Sequence, residues 1–515
     1  MQNQRNSQKK QSRKKYIIAA VIILCILAGY IYMVVTWTPI DSESKKASEA
    51  IIRQAVAEQL NIEKVYNELT DEDFAQMRAG GAGLFMDTNE NAEAYFMITL
   101  RNRRGALAKY SKDPNNLIDP NDLTDEDFAK ITEFALTNKV LSEIKLFEKF
   151  TNLQKLELQN ISFPKKEIPK WMTVLAKFGI FDLSERFSID LSPLKKLINL
   201  QTISLNRFQV SNLRPLMELS KLHELNLKNS QVSDFSQLKD FKNLQHLNLM
   251  NTQISNLEPL RNLTNLQNLN LGYTKVSDLR PLRGLKNLLD LDIGHTQVSD
   301  LEMLNELTNL EKLVISTQVT NLEPIKGLTN LEKLVINRTQ VTDLGPLKGL
   351  INLKYLDIGY TQISDLKPIK GLVNLEYLDI YDSQVSNLEP LKDLKNLTYL
   401  DTNYNQVSDL QPLKELKNLR TLIITDTQVT NLEPIKDLTS LRQLLFSDTQ
   451  ISDIEPIKGL TNLRELWLGN TQVSDLEPLK GLKNLKQLRL QNCPNITDEQ
   501  VEELKKTLPD LRMLR

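Results

Sequence analysis

Six of the chain's thirteen tyrosines fall within residues 355–404: Tyr355, Tyr360, Tyr377, Tyr381, Tyr399 and Tyr404. Three of them, Tyr355, Tyr377 and Tyr399, recur every 22 residues, and each is followed two positions later by an aspartate: Asp357, Asp379 and Asp401. The same frame continued places Ile423, Leu445 and Trp467 where the aspartates were. If 22 residues make one structural turn, these residues form adjacent columns on one surface. Tyrosine and tryptophan are enriched at interface hot spots, and a contiguous exposed apolar stripe is uncommon without a partner. Carboxylates stacked about 5 Å apart repel one another unless a basic partner or a cation relieves them. These twelve residues are the candidate protein-binding surface, with Ile423, Leu445 and Trp467 expected as an exposed apolar stripe. The competing explanation is that near-identical repeats were copied together with their surface residues, so that the columns record duplication.

Little else in the chain has the chemistry of a site. His223, His246 and His295 lie in different columns of separate repeats, which gives no metal-ligand spacing. Cys25 and Cys493 are too few for a disulfide framework or a cysteine-rich zinc module, and Cys493 reads as a small packed residue. There is no Gly-rich phosphate loop, no HExxH and no nucleophile elbow. The expectation is therefore a protein that is not an enzyme, with no cofactor and no metal, and residues 41–130 as the one place for hidden catalysis. With 64 basic and 65 acidic residues, a net charge of −1 argues against a nucleic-acid partner.

The elements that would hold the columns come from leucine. The chain has 91, of which 10 lie in residues 1–140 and 81 in residues 141–515. The pattern L-x-x-L-x-L, with some Ile, Phe or Thr, begins at Ile131, Leu153, Phe178, Leu200, Leu222, Leu244, Leu266, Leu288, Leu310, Leu331, Leu353, Leu375, Leu397, Leu419, Leu441, Leu463 and Leu485. That frame gives 17 repeats. Every step is 22 residues except 153 to 178, which is 25, and 310 to 331, which is 21, the missing residue falling at Ser316-Thr317. In one repeat Leu466 and Leu468 are two apart, the period of a strand, so the residues between them face the other way. Asn470-Thr471 turns the chain, Ser474 or Asp475 caps the short segment Leu476–Leu482, and Pro478 is tolerated in its first turn. One such coil cannot bury its apolar face, but stacked coils bury a continuous column. A ladder of Thr252, Thr274, Thr296, Thr339, Thr361, Asn405, Thr427, Thr449, Thr471 and Cys493 is placed to satisfy backbone groups inside the stack.

This is an α/β fold, a leucine-rich-repeat solenoid. The wording TQVSDLEPLKGLTNLxxLxL resembles the 22-residue repeats of the bacterial internalin family and, more distantly, the SDS22-type phosphatase regulators. The resemblance covers about 131–490. It implies a curved parallel β-sheet on the concave face and short 3-10 or helical segments on the convex face. At about 4.8 Å per strand the inner face would be on the order of 80 Å long. On the convex side a lysine column, including Lys326, Lys392, Lys436, Lys458 and Lys480, follows Glu323, Glu389, Glu433, Glu455 and Glu477 by three residues, a spacing that permits pairing.

The N-terminal part reads differently. Residues 1–15 form a basic cytoplasmic tail, and 16–36 a transmembrane anchor: YIIAAVIILCILAGYIYMVV carries no charge and as a helix spans about 30 Å. Positive charge before it places the tail inside and the repeats on the outer, periplasmic or extracellular, side. A cleaved signal peptide and a buried soluble helix are the other readings of the segment. Residues 41–130 are expected as a mostly helical membrane-proximal and cap region. There Asn67–Met77 matches Asn121–Ile131 at eight of eleven positions, with the acidic run of a helix start rather than a Ca²⁺ loop. Residues 491–515 form a C-terminal cap repeat with a true helix. The leading expectation is a single-pass membrane protein that binds an unknown protein partner through its concave face, in surface recognition or adhesion. Internalins of the host-invading type carry C-terminal modules and surface-attachment segments, whereas here the anchor is N-terminal, so invasion does not carry over. The alternative is an intracellular regulatory scaffold of the phosphatase-regulator type.

Overall fold

The computed structural model describes residues 128–129, 131–137, 145–159 and 189–515. The tail 1–15, the anchor 16–36, nearly all of the region 41–130 and the first copy of the duplicated acidic segment lie outside these residues. Among the described residues no helix is long and apolar enough to cross a membrane. The chain divides into two compact units, Met1–Lys221 and Leu222–Arg515.

In the first unit, strands Glu133–Thr137, Lys155–Gln159 and Thr202–Asn206 pair in parallel, with Glu133 against Lys155 and Lys155 against Thr202. Phe128, Phe134, Phe147 and Phe150 pack ring against ring, with centroids 5.1–5.8 Å apart, and each is at most 2% exposed. Aromatic packing of this kind, mostly edge-to-face, fills the core beside Glu133–Thr137, the first of the described strands. The coil expected at Phe178 lies outside the described residues.

In the second unit, three-residue strands run in parallel from Glu224–Asn226 to Arg512–Leu514. The central residue of each strand up to Gln487–Arg489 is a leucine at most 2% exposed, while the flanking residues lie on the open sheet face. Short 3-10 helices, from Phe235–Asp240 to Glu477–Gly481, form the opposite side. They begin on an Asx turn: Asp475 Oδ1 accepts the Glu477 amide at 2.8 Å, as Asn431 does for Glu433. Asp475, not Ser474, is thus the capping residue. A ten-residue helix, Asp498–Thr507, follows the last 3-10 segment and starts on a Thr497/Gln500 capping box.

Each coil turns on one residue in the left-handed region: Asn229, Asn251, Tyr273, His295, Arg338, Tyr360, Asp382, Tyr404, Asp426, Asp448, Asn470 and Asn492. Asn and Asp tolerate this conformation best among non-glycine residues. The 21-residue coil has no such residue, so the deletion at Ser316-Thr317 removed the left-handed position itself. The threonine ladder does what its position suggested: Thr252, Thr274, Thr361 and Thr471 donate Oγ1 to the carbonyl three residues earlier at 2.6–2.7 Å. Where Asn405 replaces threonine, its Nδ2 reaches three carbonyls and its Oδ1 accepts from Ser383 and Val385. Cys493 is buried and its thiol donates to the Leu468 carbonyl at 3.1 Å.

Candidate binding surface

Strands Tyr355–Asp357, Tyr377–Asp379 and Tyr399–Asp401 are in exact lateral register, tyrosine beside tyrosine and aspartate beside aspartate. The rings of Tyr355 and Tyr377 stack with centroids 4.0 Å apart and planes 6° from parallel; Tyr377 and Tyr399 stack at 4.2 Å and 7°. In-register parallel strands hold equivalent side chains one strand spacing apart, so an aromatic column can only lie ring on ring. Lys333, one strand back, places its ammonium 4.5 Å from the Tyr355 centroid.

The aspartates have a local task. Oδ1 of Asp357, Asp379 and Asp401 accepts the backbone amide two residues on, at 3.0, 2.9 and 2.9 Å. Asn226, Asn248 and Asn270 make the same bond at 3.0, 3.0 and 2.9 Å. Asparagine serves as this acceptor equally well, so the negative charge is additional, and the coils of Ile423, Leu445 and Trp467 turn with no acceptor at that position. That charge is costly here. Burial, followed by the neighbouring carboxylate of Asp357, pushes Asp379 up to about 6. Burial, followed by Asp379, pushes Asp401 up to about 7. Burial also raises Asp357, although Asn337 Nδ2 donates to its Oδ2 at 2.7 Å.

Tyr360, Tyr381 and Tyr404 lie in the turns after the strands rather than on them. Tyr360 and Tyr404 hold the left-handed position, at φ 55° and 54°, and Tyr381 precedes it. All three nevertheless meet: Tyr360 and Tyr381 are 4.7 Å apart and Tyr381 and Tyr404 5.2 Å, with the Arg338 guanidinium 4.1 Å over Tyr360. Tyr360 and Tyr404 are 41% and 50% exposed, among the most exposed large apolar side chains described.

The expected apolar stripe is in register but not exposed. Ile423, Leu445 and Trp467 are lateral neighbours. Leu445 is only 9% exposed, and Ile423 and Trp467 are partly covered. Over Trp467 the Arg489 guanidinium lies 3.5 Å from the ring centroid. The Trp467 Nε1 and Arg489 Nε are buried without hydrogen-bond partners. Sequence reasoning treated the face as a flat register and missed this lateral cover.

It also missed a polar hollow of about 170 Å³ lined by Glu224, His246, Asn268, Asn270, Asp290 and Asp292, among others. Close by in sequence Tyr273 and His295 stack at 4.3 Å. The same columns that revealed the tyrosines contained this signal, as a run of Asn, His and Asp. Among the described residues no group of His, Cys, Asp and Glu could hold a metal ion. On the 3-10 side the expected pairs form: Lys326–Glu323, Lys392–Glu389, Lys436–Glu433, Lys458–Glu455 and Lys480–Glu477.

The family model described as "Leucine Rich repeats (2 copies)" matches successive windows from 220–262 to 461–506. Among solved structures, a leucine-rich repeat protein of Leptospira interrogans is 27% identical, with a TM-score of 0.63, over 76% of this chain and 97% of that one. The functional domain of InlJ from Listeria monocytogenes is 19% identical, with a TM-score of 0.52, over 71% of this chain and 74% of that one. An internalin from Listeria monocytogenes is 25% identical, with a TM-score of 0.47, over 74% of this chain and 92% of that one. A comparison with curated proteins finds no match. Its coils, its turn ladder and the windows matched from 220 to 506 establish that the chain belongs to the leucine-rich repeat family.

Proposed function

We propose that this is a membrane-anchored recognition protein whose open sheet face binds a protein partner around Tyr355–Tyr404, with no chemical step of its own. The observation that carries this reading is the pair of columns: three stacked tyrosines beside three aspartates whose charge the fold does not require. A surface that keeps costly charge and turn tyrosines in the left-handed region trades stability for something other than folding. Aromatic residues at such a place supply rigid contact area at low entropic cost. Residues 16–36 serve as the anchor, with the repeats on the outer side.

Affinity capture with the full chain tests the surface. Tyr377→Ala combined with Trp467→Ala is expected to remove the captured partner. If every interaction survives the double substitution, the surface is not the binding site. Protease added to cells whose outer barriers are opened tests the topology: the repeats should be cut, and their protection would favour an intracellular regulatory scaffold.

A further inference from the structure

The two ends of the tyrosine row differ. At one end Lys333 lies over Tyr355. At the other, Tyr399 stacks on Tyr377 with one face and turns its second face toward the next strand, which sets Thr421 beside it. Thr421 is too small to cover a ring, and its hydroxyl donates to Gln443 Oε1 at 2.8 Å. Among the described residues no cation lies over Tyr399, although cations lie over Tyr355, Tyr360 and Trp467.

Asp401 follows Tyr399 by two residues on the same strand. It is 6% exposed. Its Oδ1 holds the Asn403 amide, while its Oδ2 meets the Tyr399 hydroxyl at 3.5 Å, the outer limit of a hydrogen bond. A carboxylate oxygen this buried normally has a short, strong donor. The three strands Tyr355–Asp357, Tyr377–Asp379 and Tyr399–Asp401 carry three aspartates and no basic residue, so the complementary charge must come from outside them.

We propose that the slot between Tyr399, Asp401 and Thr421 receives an arginine side chain of the partner protein, its guanidinium stacked on Tyr399 and donating to Asp401 Oδ2. This deepens the reading of the face as a partner surface and rests on it. Arginine fits better than lysine, because a planar guanidinium can stack on a ring and donate in its own plane at once. A proton is displaced in the process. With Asp379, Asp357 and Tyr399 around it and uncharged Ile423 on the far side, Asp401 stands at about 7 when the slot is empty. An arginine, whose charge is fixed, holds Asp401 ionised, so affinity rises with pH between 6 and 8.

The test uses the full chain and a fluorescently labelled oligo-arginine peptide, with oligo-glutamate and Gly-Ser peptides as comparisons. Asp401→Asn keeps the acceptor that Asn226, Asn248 and Asn270 supply in their own coils, so the turn is preserved. It is expected to weaken oligo-arginine binding about tenfold or more at pH 8 and to flatten its pH dependence. Thr421→Tyr, which extends the stack over the open ring, should weaken binding as well. Glu433→Gln, on the 3-10 side, should leave it unchanged. Equal affinity of wild type and Asp401→Asn, or oligo-glutamate binding as tightly as oligo-arginine, would overturn the proposal. A captured partner lost in Tyr377→Ala but retained in Asp401→Asn would remove the arginine slot and leave the partner surface standing.

Discussion

Two runs of coils in the second unit share one scaffold and carry opposite surfaces. From Glu224 to Asn270 the turn acceptor is asparagine; from Tyr355 to Asp401 it is aspartate, and the bond to the amide two residues on has the same length. In the first run the neighbouring column is Glu224, His246 and Asn268, tied across strands by bonds such as His246 Nδ1 to Asn268 Oδ1 at 2.8 Å. In the second it is a column of stacked rings. The comparison shows that asparagine and aspartate serve the turn alike, so the charge is additional to what the coil uses. Duplication alone explains why identical residues recur, but not why the costlier of two adequate residues stands at three consecutive positions.

The largest effect tests whether the scaffold is truly shared. Leu269→Ala and Leu378→Ala, each removing a side chain at most 1% exposed, should both cost about 2–5 kcal/mol in urea unfolding of the full chain. A gap of several kcal/mol between them would break the comparison at its base.

The next effect comes from charge. A carboxyl whose folded pKa is raised keeps a proton that the unfolded chain has already lost, so stability declines as pH rises from about 4 to about 7, the value reached by Asp401. Asp401→Asn should therefore raise stability at pH 8, by on the order of 1–4 kcal/mol, and change nothing at pH 3. Asn248→Asp should do the reverse in the first run, by a smaller amount for want of a neighbouring carboxylate. Urea midpoints measured at both pH values check the sign, and an Asp401→Asn that destabilises at pH 8 would contradict the account of the column.

A smaller effect is expected inside the turn, where the runs should agree again. Thr274→Val and Thr361→Val each remove the hydroxyl's bond to the carbonyl three residues earlier and should cost about 1 kcal/mol alike. Smallest is Glu433→Gln on the 3-10 side. Its pair with Lys436 is exposed on both members, and no change in melting temperature is expected.

How far the sequence could be read depended on how local the cause was. The coil period, the threonine ladder and the Glu–Lys pairs are set by contacts within one coil or with its immediate copy, and all were visible as spacing. The stripe of Ile423, Leu445 and Trp467 is less exposed than expected because exposure depends on where neighbours such as Arg489 lie, and a column of letters does not show that. That Tyr360 and Tyr404 belong to the left-handed turn is not visible in spacing, because the backbone angle at that position follows from how the coil closes.

What the sequence determined by itself is the repeat, because 22-residue spacing of leucine leaves stacking as the only way to bury it. It also determined which residues become lateral neighbours, since parallel strands in register convert a period into a column. What the tertiary structure decided is the condition of those neighbours. It decided that the tyrosines lie ring on ring, that Leu445 is covered, and that Asp401 is buried with the Tyr399 hydroxyl 3.5 Å from its second oxygen. Ring stacking, burial and carboxylate basicity depend on distances of a few ångströms between coils, and those are fixed only when the coils are stacked.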